Sequence, residues 1–190
     1  NSDGHISSIS GVRKIGNGRV LSWSHTDGLP QLWCSNTGLH LFTFKQHHAG
    51  GLGFDAVLEL ENAQILSWAS NNLRLWDANT GVCLTIFNGH VGEVKGARQL
   101  KNGRILSWAN DQLRLWDTDT GQCLATLEGH KGPVIGAMQL QDGRILSWSL
   151  DGTLKLWDIN ADQCLITLVG HANDERLPGG GAFSDIGVYN

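Results

Sequence analysis

Several kinds of residue are scarce in this 190-residue chain, and each shortage excludes something. One Tyr, one Met and three Pro rule out the Pro-rich and other low-complexity compositions of linkers. Charged residues are 17% of the chain, 14 basic against 18 acidic for a net charge of −4, and no window gathers Lys and Arg into a cluster. Nucleic acid is therefore not expected as a partner. No apolar run approaches the roughly 18 residues of a membrane span, and Asn1 to His5 lack the basic and apolar regions of a secretory signal; a soluble, cytoplasmic protein with no membrane partner is expected. C-x-x-C, H-E-x-x-H, a phosphate loop and a Ca²⁺ repeat are all missing, which leaves no candidate metal ligand and no cofactor. What the chain does have is 8 Trp, 25 Gly and 41% hydrophobic residues, enough to bury a core without disulfides.

The tryptophans are periodic. Trp68, Trp108 and Trp148 are spaced by 40 and 40, and Trp76, Trp116 and Trp157 by 40 and 41. Trp23 and Trp33 carry the same pair in the first copy, while Gly4-His5, Gly89-His90, Gly129-His130 and Gly170-His171 form a third register. The second copy breaks that register with His47 or His48 and a Gly-rich insertion, Gln46 to Gly53. From Ala63 to His90 against Gly103 to His130, 16 of 28 positions are identical, so one unit has been written four times.

Within a copy the pattern is that of strands. Val134 to Leu140, Arg144 to Ser149, Thr153 to Asp158 and Cys164 to Leu168 are short segments separated by Gly, Asp and Asn turn signals. Ile-Leu-Ser-Trp and Leu-Lys-Leu-Trp are nearly continuous apolar runs, so both faces of these strands must be covered. Gln141 to Gly143 and Leu150 to Gly152 are hairpin turns in which Gly takes a positive φ. Four antiparallel strands per copy, sandwiched between like copies, make a stack of blades, and radial closure removes the bare end faces.

Gly-His, Ser-x-Asp-Gly and Leu-x-Leu-Trp-Asp in a period of about 40 resemble the WD40 β-propeller repeat. Ile-Leu-Ser-Trp and Thr-Gly-x-Cys-Leu look like the near-identical repeats of large bacterial multidomain proteins, where propellers sense or scaffold. The expected fold is all-β, a propeller with four repeats at about 4–46, 47–88, 89–128 and 129–169, followed by a tail, 172–190, in which Gly180 to Tyr189 could add a strand. Family members usually close with about seven blades. Four repeats therefore imply completion to about eight by a homodimer, or blades supplied by a longer propeller.

Ser, His and Asp recurring together suggest a hydrolase triad, but a triad occurs once, with a single strained nucleophile. The resemblance implies instead a structural hydrogen-bond network in each blade: His5, Ser24, Asp27 and Trp33; His90, Asp111 and Trp116, with Ala109 in place of the hydroxyl; and His130, Ser149, Asp151 and Trp157. In blade 2 only Asn71 stands at the Asp place, with Ala69 and Trp76. Blades 2 and 3 are accordingly expected to be less rigid than blade 4. Trp23, Trp68, Trp108 and Trp148 should pack blade against blade, an aromatic ligand shelf being the other reading. Arg74, Arg114 and Lys155 beside Asp77, Asp117 and Asp158 read as rim ion pairs or a basic ring. Cys83, Cys123 and Cys164 hold one repeated position, a whole blade apart and too far to bridge, so free thiols are expected.

By the same resemblance, a partner meets the narrower face through Ser8, Ser10, Thr26, Ser70, Glu93, Lys95, Asn110, Pro133, Ile135 and Leu150. That mixed surface suits a protein or peptide segment. The expectation is a non-enzymatic interaction, scaffold or sensor module; a small molecule or glycan is the alternative ligand.

Overall fold

A computed structural model describes residues 8–24, 30–44, 56–110, 112–161 and 163–169. The insertion at 46–53 and the tail from 172 lie outside them, as does the strand considered at 180–189. The described residues form four sheets, each of four antiparallel strands in sequence order. Blade 1 holds β1 (Gly11–Ile15), β2 (Arg19–Trp23), β3 (Gln31–Cys34) and β4 (His40–Thr43). Blade 2 holds β5 (Ala56–Leu60), β6 (Gln64–Ala69), β7 (Asn72–Asp77) and β8 (Cys83–Asn88). Blade 3 holds β9 (Gly96–Gln99), β10 (Ile105–Trp108), β11 (Gln112–Trp116) and β12 (Cys123–Glu128). Blade 4 holds β13 (Val134–Gln139), β14 (Ile145–Ser149), β15 (Thr153–Asp158) and β16 (Gln163–Val169). Among the described residues one short 3₁₀ turn, Glu61–Ala63, interrupts the strands.

Register explains the double apolar faces. Leu106 pairs with Leu115 and Trp108 with Leu113, while Ile105 pairs with Trp116; neighbours alternate sides, so one strand carries an apolar row on each face. Each row is covered by the adjoining blade. Ile15, Leu21 and Leu32 of blade 1 pack with Val57, Ile65 and Trp76 of blade 2. Leu66, Trp68, Leu73, Leu75 and Phe87 meet Val94, Ala97, Ile105 and Trp116, and Leu106, Trp108, Leu113 and Leu127 meet Val134, Ala137, Ile145 and Trp157. Trp23, Trp68 and Trp108 thus pack blade against blade. Three junctions hold the four sheets.

These indoles also lie across the first strand of their own blade. A Cβ at Gly11, Gly96 or Gly136 would come within 2.1 to 2.3 Å of Cζ2 of Trp23, Trp108 or Trp148. Here glycine is required by close approach rather than by φ. In every blade the pairing of the third and fourth strands slips by one residue beside the other tryptophan, a β-bulge kept at one repeat position.

The expectation that blades 2 and 3 are the looser pair rests on the hydroxyl missing from both, on Asn71 at the Asp place of blade 2 and on turns one residue shorter than in blade 4. Burial within one chain points the other way. Leu66, Leu73, Leu106 and Leu113 are fully buried, whereas Leu146, Leu154 and Leu156 of blade 4 are only half-buried, because the middle blades are flanked on both sides. In the single chain, with the outer face of blade 4 uncovered, amide hydrogen exchange should therefore find β6, β7, β10 and β11 better protected than β15 and β16; equal protection in the monomer would contradict this.

The turn between the first two strands needs a left-handed residue. Gly18, Gly103 and Gly143 supply it with φ of 67°, 83° and 92°, and Ala63 does so at 56°. An L side chain there is strained. Ala63→Gly should raise stability by about 0.5–1 kcal/mol after the added freedom of the unfolded chain is counted, read as a higher urea midpoint at unchanged slope.

Candidate functional site

The polar network is centred on one serine of each Ile-Leu-Ser-Trp or equivalent run. Trp157 Nε1 donates to Ser147 Oγ at 2.8 Å, and His130 Nε2 lies 2.8 Å from the same oxygen. His130 Nδ1 faces Asp151 Oδ2 at 3.1 Å, and that carboxylate also accepts the Lys131 N–H at 2.7 Å and, at Oδ1, the Thr153 hydroxyl at 2.7 Å. Ser149 occupies the far end of the network: its hydroxyl donates to Gly132 O at 3.0 Å and accepts the Asp151 N–H at 3.1 Å. The sequence reading gave Ser149 the linking role, but in the structure Ser147 holds it. Ser147 and Trp157 lie on the same face of adjacent strands, whereas Ser149 sits at the hairpin end.

The other blades keep the same core. Trp116 Nε1 donates to Ser107 Oγ at 2.7 Å and His90 Nε2 sits 2.6 Å from it; Trp76 donates to Ser67 and Trp33 to Ser22, each at 2.7 Å. Ser24, expected in blade 1's network, is fully buried. His5, Asp27 and Asp111 lie outside the described residues. Ala109 and Ala69 therefore cost blades 3 and 2 an outer contact, not the centre. The signal that would have found the linking serine is recurrence, since Ser22, Ser67, Ser107 and Ser147 appear in all four copies and Ser149 has a counterpart only in Ser24.

Ser147, His130 and Asp151 have the connectivity of a catalytic triad without its access. Ser147 and Ser107 are fully buried, and each oxygen already receives an indole N–H. No substrate reaches them. Burial, reinforced by the Arg114 charge, pushes His90 down from 6.5 to about 4. His130 is lowered mainly by burial, against the opposing pull of Asp151. For Asp151 burial acts upward, but the bonds from Thr153, Lys131 and His130 outweigh it and hold the carboxyl well below its usual range.

The rim ion pairs did not form. Asp77 accepts the Asn79 and Thr80 N–H groups at 2.8 Å, and Asp117 accepts the Thr120 N–H at 2.9 Å and its hydroxyl at 2.7 Å. Arg114 reaches Gln112 and Cys123 and lies 5.9 Å from the Trp116 ring centroid, while Lys155 donates to Thr167. Residues three apart on a strand point to opposite faces, so Arg114 cannot meet Asp117. The four cysteines are free.

At one end of the blades the turns adjoin one another. Val94 N donates to Ser70 O at 2.6 Å, Val134 N to Asn110 O at 3.1 Å, and Leu150 N to Pro133 O at 3.0 Å. Ser70, Glu93, Lys95, Asn110, Pro133, Ile135 and Leu150 thus form one belt across blades 2 to 4. Ser10 holds the place of Lys95, since Ser10 N bonds Trp23 O as Lys95 N bonds Trp108 O, both at 2.8 Å. Ser8 and Ser10 are exposed, and Thr26 lies outside the described residues. Glu93 and Lys95 pair with each other. The sequence reading missed Val91, 90% exposed and directly after the Gly-His pair. Among the described residues no aromatic side chain is exposed, no group of three His, Cys, Asp or Glu could hold a metal ion, and no helix is long and apolar enough to cross a membrane.

Residues 121–158, running from the turn before β12 through β15, match the family model described as "WD domain, G-beta repeat". That stretch, the last strand of blade 3 and the first three of blade 4, is a WD40 repeat, and the other blades share its Ser–Trp bond. Over 93 residues the chain is 31% identical to "Mitogen-activated protein kinase kinase kinase A" of Dictyostelium discoideum, covering 48% of this chain and 10% of that protein. Among solved structures, the crystal structure of the computationally designed Ika8 protein is similar, with a TM-score of 0.74 and 29% identity over 89% of this chain and 51% of that one. The chain therefore spans about half of that solved chain and a tenth of the curated relative.

Two measurements check the network. Ser147→Ala strands both an indole N–H and an imidazole nitrogen and should cost about 2 kcal/mol or more, against about 1 for Ser149→Ala, compared by urea unfolding. His90 stays neutral in the folded protein down to about pH 4 but takes up a proton near 6.5 when unfolded. Its contribution to stability is complete above that upper value and is lost as pH falls through the window, by up to about 3 kcal/mol. His90→Gln should flatten this acid limb of the urea midpoint against pH.

Proposed function

We propose that this chain is a non-enzymatic protein-interaction module that binds a peptide or protein segment along the belt from Ser70 to Leu150, extended on blade 1 by Ser8, Ser10 and Thr26. One observation carries the reading: Val91, Ile135 and Leu150 stand exposed beside the Glu93–Lys95 pair at a single end of the blades. Apolar side chains interspersed with charge suit an extended peptide with alternating contacts. The WD40 match supports an interaction role. Buried serines argue against the hydrolase reading, and the lack of an exposed aromatic among the described residues weighs against a glycan. On this reading the module is a scaffold or sensor part working in the cytoplasm, completed as a ring by a homodimer or by blades of a longer propeller.

Selection of binders from a displayed random-peptide library against the wild-type chain tests it. Peptides so selected should lose about tenfold or more in affinity for Lys95→Glu combined with Leu150→Arg, at unchanged melting temperature. Undiminished binding by that double variant would remove the belt as the site.

A further inference from the structure

The two ends of the arc are the two halves of one more junction. On the trailing face of blade 4, Leu168 is 53% exposed, while its counterparts Leu127 and Phe87 are 1% and 0% exposed under the next blade. Ile166 is likewise exposed, and Leu146, Trp148, Leu154 and Leu156 are half-buried. On the leading face of blade 1, Val12 is 60% exposed, against 3% for Val57 and 1% for Ala137 at the same register. Val20 and Trp33 are half-buried, where Ile65, Ile105 and Ile145 and the matching tryptophans are fully covered. Among the described residues, then, blade 4 does not close on blade 1. What covers each face is already on view three times: the opposite face of a neighbouring blade.

A polar contact repeated at each junction indicates which blade. The residue just before Leu60, Leu100 or Leu140, at the end of the first strand of one blade, accepts an N–H from the first turn of the blade before it. Glu59 accepts Gly16 N at 2.9 Å, Gln99 accepts Glu61 N at 3.3 Å, and Gln139 accepts Lys101 N at 2.9 Å. The turn on the donor side carries Asn17, Asn62 and Asn102 in turn. Only the two unpaired ends depart from this rule, and they depart with opposite charge. Blade 1 has Lys14 where the others have Glu or Gln, and the turn of blade 4 has Asp142 where the others have Asn. Lys14 cannot accept an N–H. It suits a turn bearing a carboxylate, and the turn with an Asp is blade 4's own, where Asp142 also pairs with Arg144 at 2.6 Å.

We propose that the trailing face of blade 4 docks on the leading face of blade 1 in a second copy of this chain, with Lys14 placed against Asp142, and that the reciprocal contact closes a two-fold ring of eight blades. A head-to-tail contact closes with two members when each spans half a turn. The inference rests on the blade architecture and not on the peptide belt.

Light scattering on the 190-residue chain tests it, with no peptide present. A mass twice the 20.6 kDa of one chain is expected. Leu168→Glu, which puts a charge on the covered face, should raise the dimer dissociation constant about tenfold or more. Lys14→Asp and Asp142→Lys should each weaken the dimer, and the two combined should restore it. A monomer, an open-ended series of larger species, or a dimer indifferent to Leu168→Glu and to both charge reversals would overturn the proposal. An intact dimer whose Lys95→Glu, Leu150→Arg variant still binds the selected peptides undiminished would overturn the belt alone.

Discussion

A sheet that is apolar on both faces has to be covered twice, and the rest of this structure follows from that constraint. Each middle blade buries one row of Leu and Trp and one row of Ile and Trp, and a neighbouring blade supplies the complementary rows. Burial of an aromatic ring removes on the order of 150–250 Å² from water, so a junction with two of them outweighs the hydrogen bonds around it. Those bonds select geometry instead. The indole donated to a buried serine fixes the distance between the second and third strands, and the imidazole on the same oxygen ties in the turn before the first strand.

The fold was legible in the sequence because period, turn residues and double-faced strands all point one way. Val134 to Leu140 and Thr153 to Asp158, read as strands from composition alone, coincide with β13 and β15 to within a residue. Gly143 and Gly152 take the positive φ that their turns demand. The polar centre was less legible. Ser149 stands in the familiar Ser-x-Asp-Gly string, while the linking Ser147 is set among apolar neighbours, where a hydroxyl looks incidental. Contacts made across blades, such as Gln139 to Lys101, depend on partners about 40 residues away, and no local pattern announces them. The basic residues beside Asp77 and Asp117 misled through proximity in the chain, since the pleat sends them apart.

Function divides along the same line. Residues that recur are occupied in holding blades together, and along the proposed belt the residues differ from blade to blade. Ser70, Asn110 and Leu150 fill one repeat position with three chemistries, on a backbone held constant by the bonds beneath. A rigid frame with variable tips is an economical way to change a ligand without refolding.

The near-identity of blades 2 and 3 has a cost during synthesis. Since 16 of 28 positions match, the face awaiting blade 3 accepts blade 4 almost as well, and a nascent chain held in cis on the ribosome meets the right neighbour first only because that neighbour emerges first. Refolding from denaturant removes that order of arrival. Skipped-blade traps should then slow recovery of the native arc, and more so the more alike the blades become.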